Sequence, residues 1–340
     1  VTQKLSCPRE RDLRIVRVGV RPPAIDPKGR FIKLSRVECT AERMVQHCDA
    51  VRVPDSGWFL TMDTLISRSI FSSATGYIRR GGFEWTCNPY VGCTFGCTYC
   101  YAMFLPQNRR PKEEWGRWLQ AKSNAVELAR RTAHKVAGQA VYMSSVTDPY
   151  LPAEGGLRLS RGILEAMLPH QPRLLVQTRG PLVERDFDLL QTFGAVRLNM
   201  SIPTDSEAVR RAFEPKAPPL ERRWEVIHAA RAVGIRVGIC VTPMLPLGNP
   251  SAFIERLVAF DPEVLVTQDF HDSHGGFGAN TGPKARGLLN ASRWSAQSYQ
   301  EVVDALRRKR EVFEGETGFF PPGEHDYAAS STRAGAGFGF

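Results

Sequence analysis

From Trp85 onward the chain alternates short, nearly continuous apolar runs with longer segments of helical period. The runs are WTCNPYV (85–91), AVYMSSV (140–146), RLLVQTR (173–179), AVRLNMSI (195–202), RVGICVTPM (236–244) and VLVTQDF (264–270). Runs of this kind are expected of strands covered on both faces. The segments between them carry helix punctuation. Thr204 and Glu207 have the spacing of a capping box, Gly234 follows a segment with apolar Leu220, Trp224, Ile227 and Val233, and Pro181 suits a first helical position. Six strands alternating with helices predict an α/β fold with a parallel sheet and right-handed crossovers. A closed eightfold barrel needs two more units, which the remainder does not supply, so the expectation is a partial (β/α)6 TIM-like barrel.

Residues 1–80 mix short apolar runs with Pro, Gly and charge, show no sustained period, and read as an N-terminal extension to a barrel over 81–290. Residues 291–322 predict a C-terminal helix that packs on the barrel. Ser298 and Glu301 form its capping box, Tyr299, Val302, Val303 and Leu306 its apolar face, and Gly315 its end. Such a helix is suited to covering an open sheet edge. Residues 323–340, ending in SSTRAGAGFGF, have the composition of a disordered tail.

Charge changes this picture modestly. The 340 residues include 45 Lys+Arg and 35 Asp+Glu, a formal net charge of +10. The excess suits a phosphate-bearing nucleoside or nucleic-acid substrate, or simply solubility. The basic clusters at 109–112, 130–131 and 307–310 are scattered, unlike the stripe of a dedicated duplex reader. No stretch approaches the roughly 18 apolar residues of a membrane span, and the opening residues lack an apolar signal core. The expected location is therefore cytoplasmic, with no membrane partner and with thiols kept reduced. The eight cysteines, Cys7, Cys39, Cys48, Cys87, Cys93, Cys97, Cys100 and Cys240, then read as metal ligands or buried thiols rather than disulfides.

The strongest chemical signal is Cys93-Thr-Phe-Gly-Cys97-Thr-Tyr-Cys100, in the loop just after the first expected strand. Three closely spaced thiolates suit three irons of a [4Fe–4S] cluster, leaving the fourth iron without a protein ligand. Zinc would call for a fourth side chain and a second ligand pair, and free thiols are the third alternative. The C-terminal end of a barrel strand is where such folds build their sites, which favours the cluster.

These residues resemble the radical S-adenosylmethionine superfamily, whose CxxxCxxC motif places an aromatic residue, here Tyr99, before the last Cys. The resemblance implies a cluster whose open iron chelates S-adenosylmethionine and, after one-electron reduction by a flavodoxin- or ferredoxin-type donor, cleavage to methionine and a 5′-deoxyadenosyl radical. Finer features are similar to the spore photoproduct lyase-like branch: Asn88-Pro89-Tyr90 and Gly92-Cys93, Cys97-x-Tyr99-Cys100-Tyr101-Ala102, Ser145-x-Thr147-Asp148-Pro149-Tyr150, Glu214-Pro215, and Glu221-Arg222-Arg223. That likeness implies that Tyr99 lies by the adenine. It also implies that Ser145, Thr147 and Asp148 form the turn meeting the methionine amino group, and that Arg179 and Ser201 hold the carboxylate and ribose. Arg suits a carboxylate because its fork binds in two places.

The branch's lyases carry a hydrogen-donating Cys where this chain has Ser145. An O–H bond is too strong to give its hydrogen readily to a carbon radical, so the repair reaction does not simply transfer. Tyr99 and Tyr101 keep the positions of that branch's tyrosines, and Cys240, on the fifth strand, is a candidate donor if the pleat turns it inward; the alternative is a buried thiol. Cys39, Cys48 and Cys87, with Cys7 or His47, are candidates for a second Fe–S cluster, set against unrelated thiols. A second cluster would favour the alternative function, sulfur insertion or another tailoring reaction in small-molecule biosynthesis. Finally, Asp269, His271, Asp272 and His274, followed by Gly275 and Gly276, form a loop at the catalytic end, expected to bind substrate or hold a metal.

Overall fold

Each of the six apolar runs contains a strand, and neighbours in sequence are neighbours in the sheet. The computed structural model describes residues 49–52, 59–106, 108–270 and 281–323. In chain order the strands are β1 (Asp49–Arg52), β2 (Phe59–Leu65), β3 (Phe71–Ser73), β4 (Trp85–Cys87), β5 (Tyr90–Val91), β6 (Trp118–Lys122), β7 (Ala140–Met143), β8 (Arg173–Thr178), β9 (Val196–Ser201), β10 (Arg236–Val241), β11 (Val264–Thr267) and β12 (Phe313–Glu314). The main sheet runs β12-β11-β10-β9-β8-β7-β4-β3. All its pairings are parallel except β3 with β4, where Phe71 faces Cys87. A smaller sheet, β1-β2-β6-β5, lies alongside in sequence. The consecutive parallel order across β4 and β7 to β11 is the partial barrel, six strands with a helical crossover between successive ones.

The pleat sorts the side chains into two layers. Val141, Met143, Leu174, Val176, Val196, Leu198, Met200, Val237, Ile239, Val241 and Leu265 join one buried cluster with helix residues such as Leu128, Ile163, Trp224, Ile227 and Leu257. Tyr142, Leu175, Cys240, Val264 and Val266 belong to a second cluster on the other face. Burying a large aliphatic side chain of this kind contributes roughly 1.5–3 kcal/mol. The alternation leaves Gln177, Arg179 and Ser201 at the C-terminal ends of their strands on the inner side, where apolar packing gives way to polar groups.

The helix punctuation holds at two points and shifts at three. Gly234 follows the helix Leu220–Ala232 with φ +82°, and Pro181 opens the 3-10 helix Pro181–Asp186. Thr204 is not a cap. Its hydroxyl donates to the Pro246 carbonyl at 2.7 Å, and Ser206 caps the helix Glu207–Phe213 by accepting from Val209 N. The helix Ala296–Arg307 is capped by Ser295, which accepts from the Ser298 amide at 3.1 Å, so Ser298 and Glu301 are not its capping box. That helix ends at Arg307, well before Gly315, which opens a separate 3-10 turn after β12. Tyr299, Val302, Val303 and Leu306 are its buried face, as the pattern requires.

The flanks belong to the barrel more closely than the division at residue 80 implies. β3 forms one edge of the main sheet and β12 the other. Between the ends, Arg80 on the helix Gly76–Arg80 donates to both carboxylate oxygens of Glu316 at 2.7–3.2 Å. Among the described residues no helix is long and apolar enough to cross a membrane. The tail beyond residue 323 lies outside the described residues.

Candidate active site

A cavity of about 730 Å³ opens at the C-terminal ends of the strands. Its walls bring together nearly every candidate read from the sequence: Cys93, Cys97, Cys100, Tyr99, Tyr101, Ser145, Thr147, Asp148, Arg179 and Ser201. Cys240 is not part of the wall. It faces inward and its thiol approaches Gln177 Oε1 at 3.5 Å, so Gln177, which does line the cavity, lies between. Gln177 also donates to Ser201 Oγ at 3.0 Å.

The cysteine loop follows β5 and is held from two sides. On one side, the Thr98 amide donates to the Phe213 carbonyl at 2.8 Å, and the Lys216 amide to the Phe95 carbonyl at 3.3 Å. On the other, Gly96 and Gly116 meet backbone to backbone, and a Cβ on Gly116 would lie 2.6 Å from Gly96 Cα. Only a residue without a side chain permits that approach. Cys93 and Cys97 are buried and Cys100 partly so. Burial, reinforced by neighbouring thiols, pushes the Cys93 thiol well up, and burial takes Cys97 to about 12 although Arg179 pulls the other way.

Thr147 and Asp148 turn out to organise the site. The Thr147 hydroxyl donates to the Gly92 carbonyl at 2.6 Å, tying the turn after β7 to the cysteine loop. Asp148 accepts from the Tyr150 amide (2.9 Å), the Thr178 hydroxyl (2.7 Å) and the Arg179 amide (2.9 Å), which fixes the end of β8. The Tyr101 hydroxyl donates to the Ser145 carbonyl and so accepts from Tyr77, whose hydroxyl is 2.9 Å away. Tyr77 and Phe319 come from the two flanks and also line the cavity. No sequence period marked them, because their role depends on the edges of the sheet being brought together.

Arg179 makes the most telling contacts. Its Nη1 donates to Cys97 Sγ at 2.9 Å and to the Tyr99 hydroxyl at 3.0 Å, and pairs with Glu214 Oε1. The Tyr99 hydroxyl donates to the same Glu214 oxygen, and Arg223 holds the other. Glu214 and Arg223 are completely buried. Burial works to raise the Glu214 carboxyl, but Arg223 and Arg179 outweigh it and hold the group below the usual carboxylate range. In the sequence, Glu214 and Arg223 stand out only as parts of a motif.

These residues fit an iron–sulfur cluster with a small polar cofactor beside it. Three thiols face one cavity, an arginine donates to one of the sulfurs, and two polar side chains of the wall, Ser144 Oγ and Trp115 Nε1, are buried with no partner in the chain.

Cys87 is placed elsewhere. It packs in the apolar layer with Ile70, Phe71 and Met143, on the face of the sheet opposite Tyr142, and burial raises its thiol to about 12. That environment is the one expected of a structural thiol and lends no support to a second cluster. Cys7, Cys39, His47 and Cys48 lie outside the described residues, as do His271, Asp272, His274, Gly275 and Gly276; Asp269 and Phe270, just before the latter loop, line the cavity.

A partial parallel barrel with three cysteines at the mouth defines a class of enzymes that build radical chemistry on an iron–sulfur cluster. The family model of the radical SAM superfamily matches residues 87–260, about half of the chain, and the chain belongs to that superfamily. Membership implies a [4Fe–4S] cluster and S-adenosylmethionine as cofactors. It is 36% identical over 185 residues to an uncharacterized protein of Acidianus two-tailed virus, covering 50% of this chain and 61% of that one. It is 30% identical over 165 residues to an uncharacterized protein of Methanocaldococcus jannaschii (48% and 62%), and 29% over 238 residues to one of Mycobacterium tuberculosis (66% of each). The matches thus span about three fifths to two thirds of those relatives. Its fold is similar to that of a spore photoproduct lyase mutant solved with bound AdoMet and dinucleoside spore photoproduct. The TM-score is 0.51 and the identity 14%, over 74% of this chain and 81% of that one. At that identity the likeness is one of fold.

Proposed function

We propose that the protein cleaves S-adenosylmethionine reductively at this cavity and uses the resulting radical on a nucleoside, nucleotide or nucleic-acid substrate. The observation that carries the reading is the single cavity that joins the three cysteines to Arg179, Ser201 and an aromatic wall of Tyr77, Tyr101, Tyr142 and Phe319. When bound, the cluster and S-adenosylmethionine supply an electron and a source of a carbon radical.

The chain's own residues do the rest. Cys93, Cys97 and Cys100 hold the cluster, and Arg179 and Ser201 offer a cation and a hydroxyl for the carboxylate and ribose of the cofactor. Thr147 and Asp148 fix the two turns from which these groups project. The largely apolar wall disfavours water at the reacting centre, which a reactive radical needs to avoid side reactions. Aromatic faces beside polar groups suit a base, which stacks on the rings and hydrogen bonds at its edge. The net charge of +10 favours phosphate-bearing ligands, and the dinucleoside bound to a protein of similar fold supports the same class. The electron donor in this reading is a flavodoxin- or ferredoxin-type protein.

Sulfur insertion draws its support from Cys39, Cys48 and Cys87, and the apolar setting of Cys87 favours the nucleoside reading instead. The test is 5′-deoxyadenosine formation by the anaerobically reconstituted chain with nucleosides, dinucleotides and short oligonucleotides. Stimulation by one of these, with a change in its mass, is expected; stimulation only by small molecules of other classes would reject the substrate assignment. Repair of the dinucleoside photoproduct is not expected of the unmodified chain, because Ser145 offers no weak S–H bond, and a Ser145→Cys variant should cleave the cofactor undiminished.

A further inference from the structure

Arg179 is placed by more than its own strand. Its amide is fixed by Asp148, so the side chain leaves β8 at a set point. From there the guanidinium could turn toward the open cavity, yet Nη1 lies against Cys97 Sγ. The partner that holds it there is Glu214. Oε1 of this buried carboxylate takes Arg179 and the Tyr99 hydroxyl, and Oε2 takes Arg223. Arg223 is itself immobilised, donating to the Ser201 carbonyl at 2.9 Å and to the Pro218 carbonyl at 2.9 and 3.2 Å. The Glu214 carbonyl accepts from Arg210 Nη1 at 2.9 Å, so the backbone is tied down as well. With both oxygens committed and both ends anchored, Glu214 has no freedom to turn, and it dictates where the Arg179 charge stands.

We propose that Glu214 is a positioning residue that holds the Arg179 guanidinium on the Cys97 sulfur, and that this cationic hydrogen bond raises the reduction potential of the cluster ligated by Cys97. The inference rests on the reading of Cys93, Cys97 and Cys100 as cluster ligands. Hydrogen bonds to the sulfurs and the local net charge are among the factors that set iron–sulfur potentials. Reduction adds one negative charge, and a cation at hydrogen-bond distance in a site shielded from water stabilises that charge more than it would in bulk solvent. Arg is suited to the task because it stays charged, and its Nη1 reaches the sulfur, the phenol and the carboxylate at once.

The test is a potentiometric titration, followed by electron paramagnetic resonance, of the full chain reconstituted anaerobically without S-adenosylmethionine. Arg179→Gln is expected to move the midpoint to more negative values, and Arg179→Lys to bring it part of the way back. Glu214→Asp keeps a charge for Arg223 but retracts from Arg179, and should shift the midpoint in the same direction as Arg179→Gln with no further shift when the two are combined. Glu214→Gln, which leaves an acceptor for Tyr99, is a second variant should the first not fold; because it also removes a negative charge, it is read by the further effect of Arg179→Gln, which should be smaller in that background than in the unmodified chain. An unchanged midpoint in Arg179→Gln overturns the proposal, and so does an Arg179→Gln shift of full size in the background of either Glu214 variant. A reconstituted, unmodified chain with no iron–sulfur signal at all would reject the cluster reading itself, an outcome distinct from a cluster with an unaltered potential.

Discussion

A buried carboxylate that accepts three hydrogen bonds is an expensive group to lose, and Asp148 is such a group. Burial pushes its carboxyl up, while the bonds from Thr178, Tyr150 and Arg179 work the other way. Asp148→Ala leaves two backbone amides and a hydroxyl without their acceptor, at about 1–3 kcal/mol for each that stays unpaired. A loss of about 2–5 kcal/mol in urea unfolding is expected, with weakened cofactor binding because the end of β8 is released. A loss below about 1 kcal/mol would show that water replaces the carboxylate. Cys87 gives the opposite kind of test. Replacing its sulfur by a hydroxyl puts an unpartnered polar group into the apolar layer beside Phe71 and Met143, so Cys87→Ser should cost about 1–3 kcal/mol while leaving iron content unchanged. A fall in iron per chain in that variant would restore Cys87 to a metal site.

At the scale of elements, the cysteine loop depends on a neighbour that carries no chemistry. Gly116 has φ +88° and touches Gly96 so closely that an added methyl group must displace one backbone or the other. Gly116→Ala should therefore loosen the loop, and the reconstituted variant should retain less iron than the unmodified chain while its far-ultraviolet circular dichroism stays the same. Equal iron retention would show that the loop finds its shape without this contact.

What could be read from the sequence follows the same division between local and distant causes. The six strands were legible because a buried parallel strand shows itself in a handful of consecutive residues, and the cysteines because three ligands fall within eight positions. The caps at Thr204 and Ser298 were misplaced because the choice among nearby hydroxyls depends on partners such as the Pro246 carbonyl, 42 residues from Thr204 in the chain. Glu214 was visible only as part of a motif. Its role depends on Arg179, Tyr99 and Arg223 meeting at one carboxylate, and no spacing encodes that. Tyr77 and the strand β3 were hidden for a related reason: a short antiparallel edge strand has too few residues to show a period.

For the whole molecule, the barrel supplies the cysteine side of the cavity and the flanks supply much of the rest. Residues 87–260, matched by the family model, contribute the cysteines, Thr147, Arg179 and Ser201, whereas Tyr77, Arg80, Glu316 and Phe319 fall outside that stretch. The central claim concerns the cysteine side. It is tested most directly by mass spectrometry of 5′-deoxyadenosine formed from S-adenosylmethionine by the anaerobically reconstituted chain with a strong one-electron reductant. The unmodified protein should form it, and replacing Cys93, Cys97 and Cys100 by Ala, singly or together, should abolish it; formation undiminished in the triple variant would contradict the account.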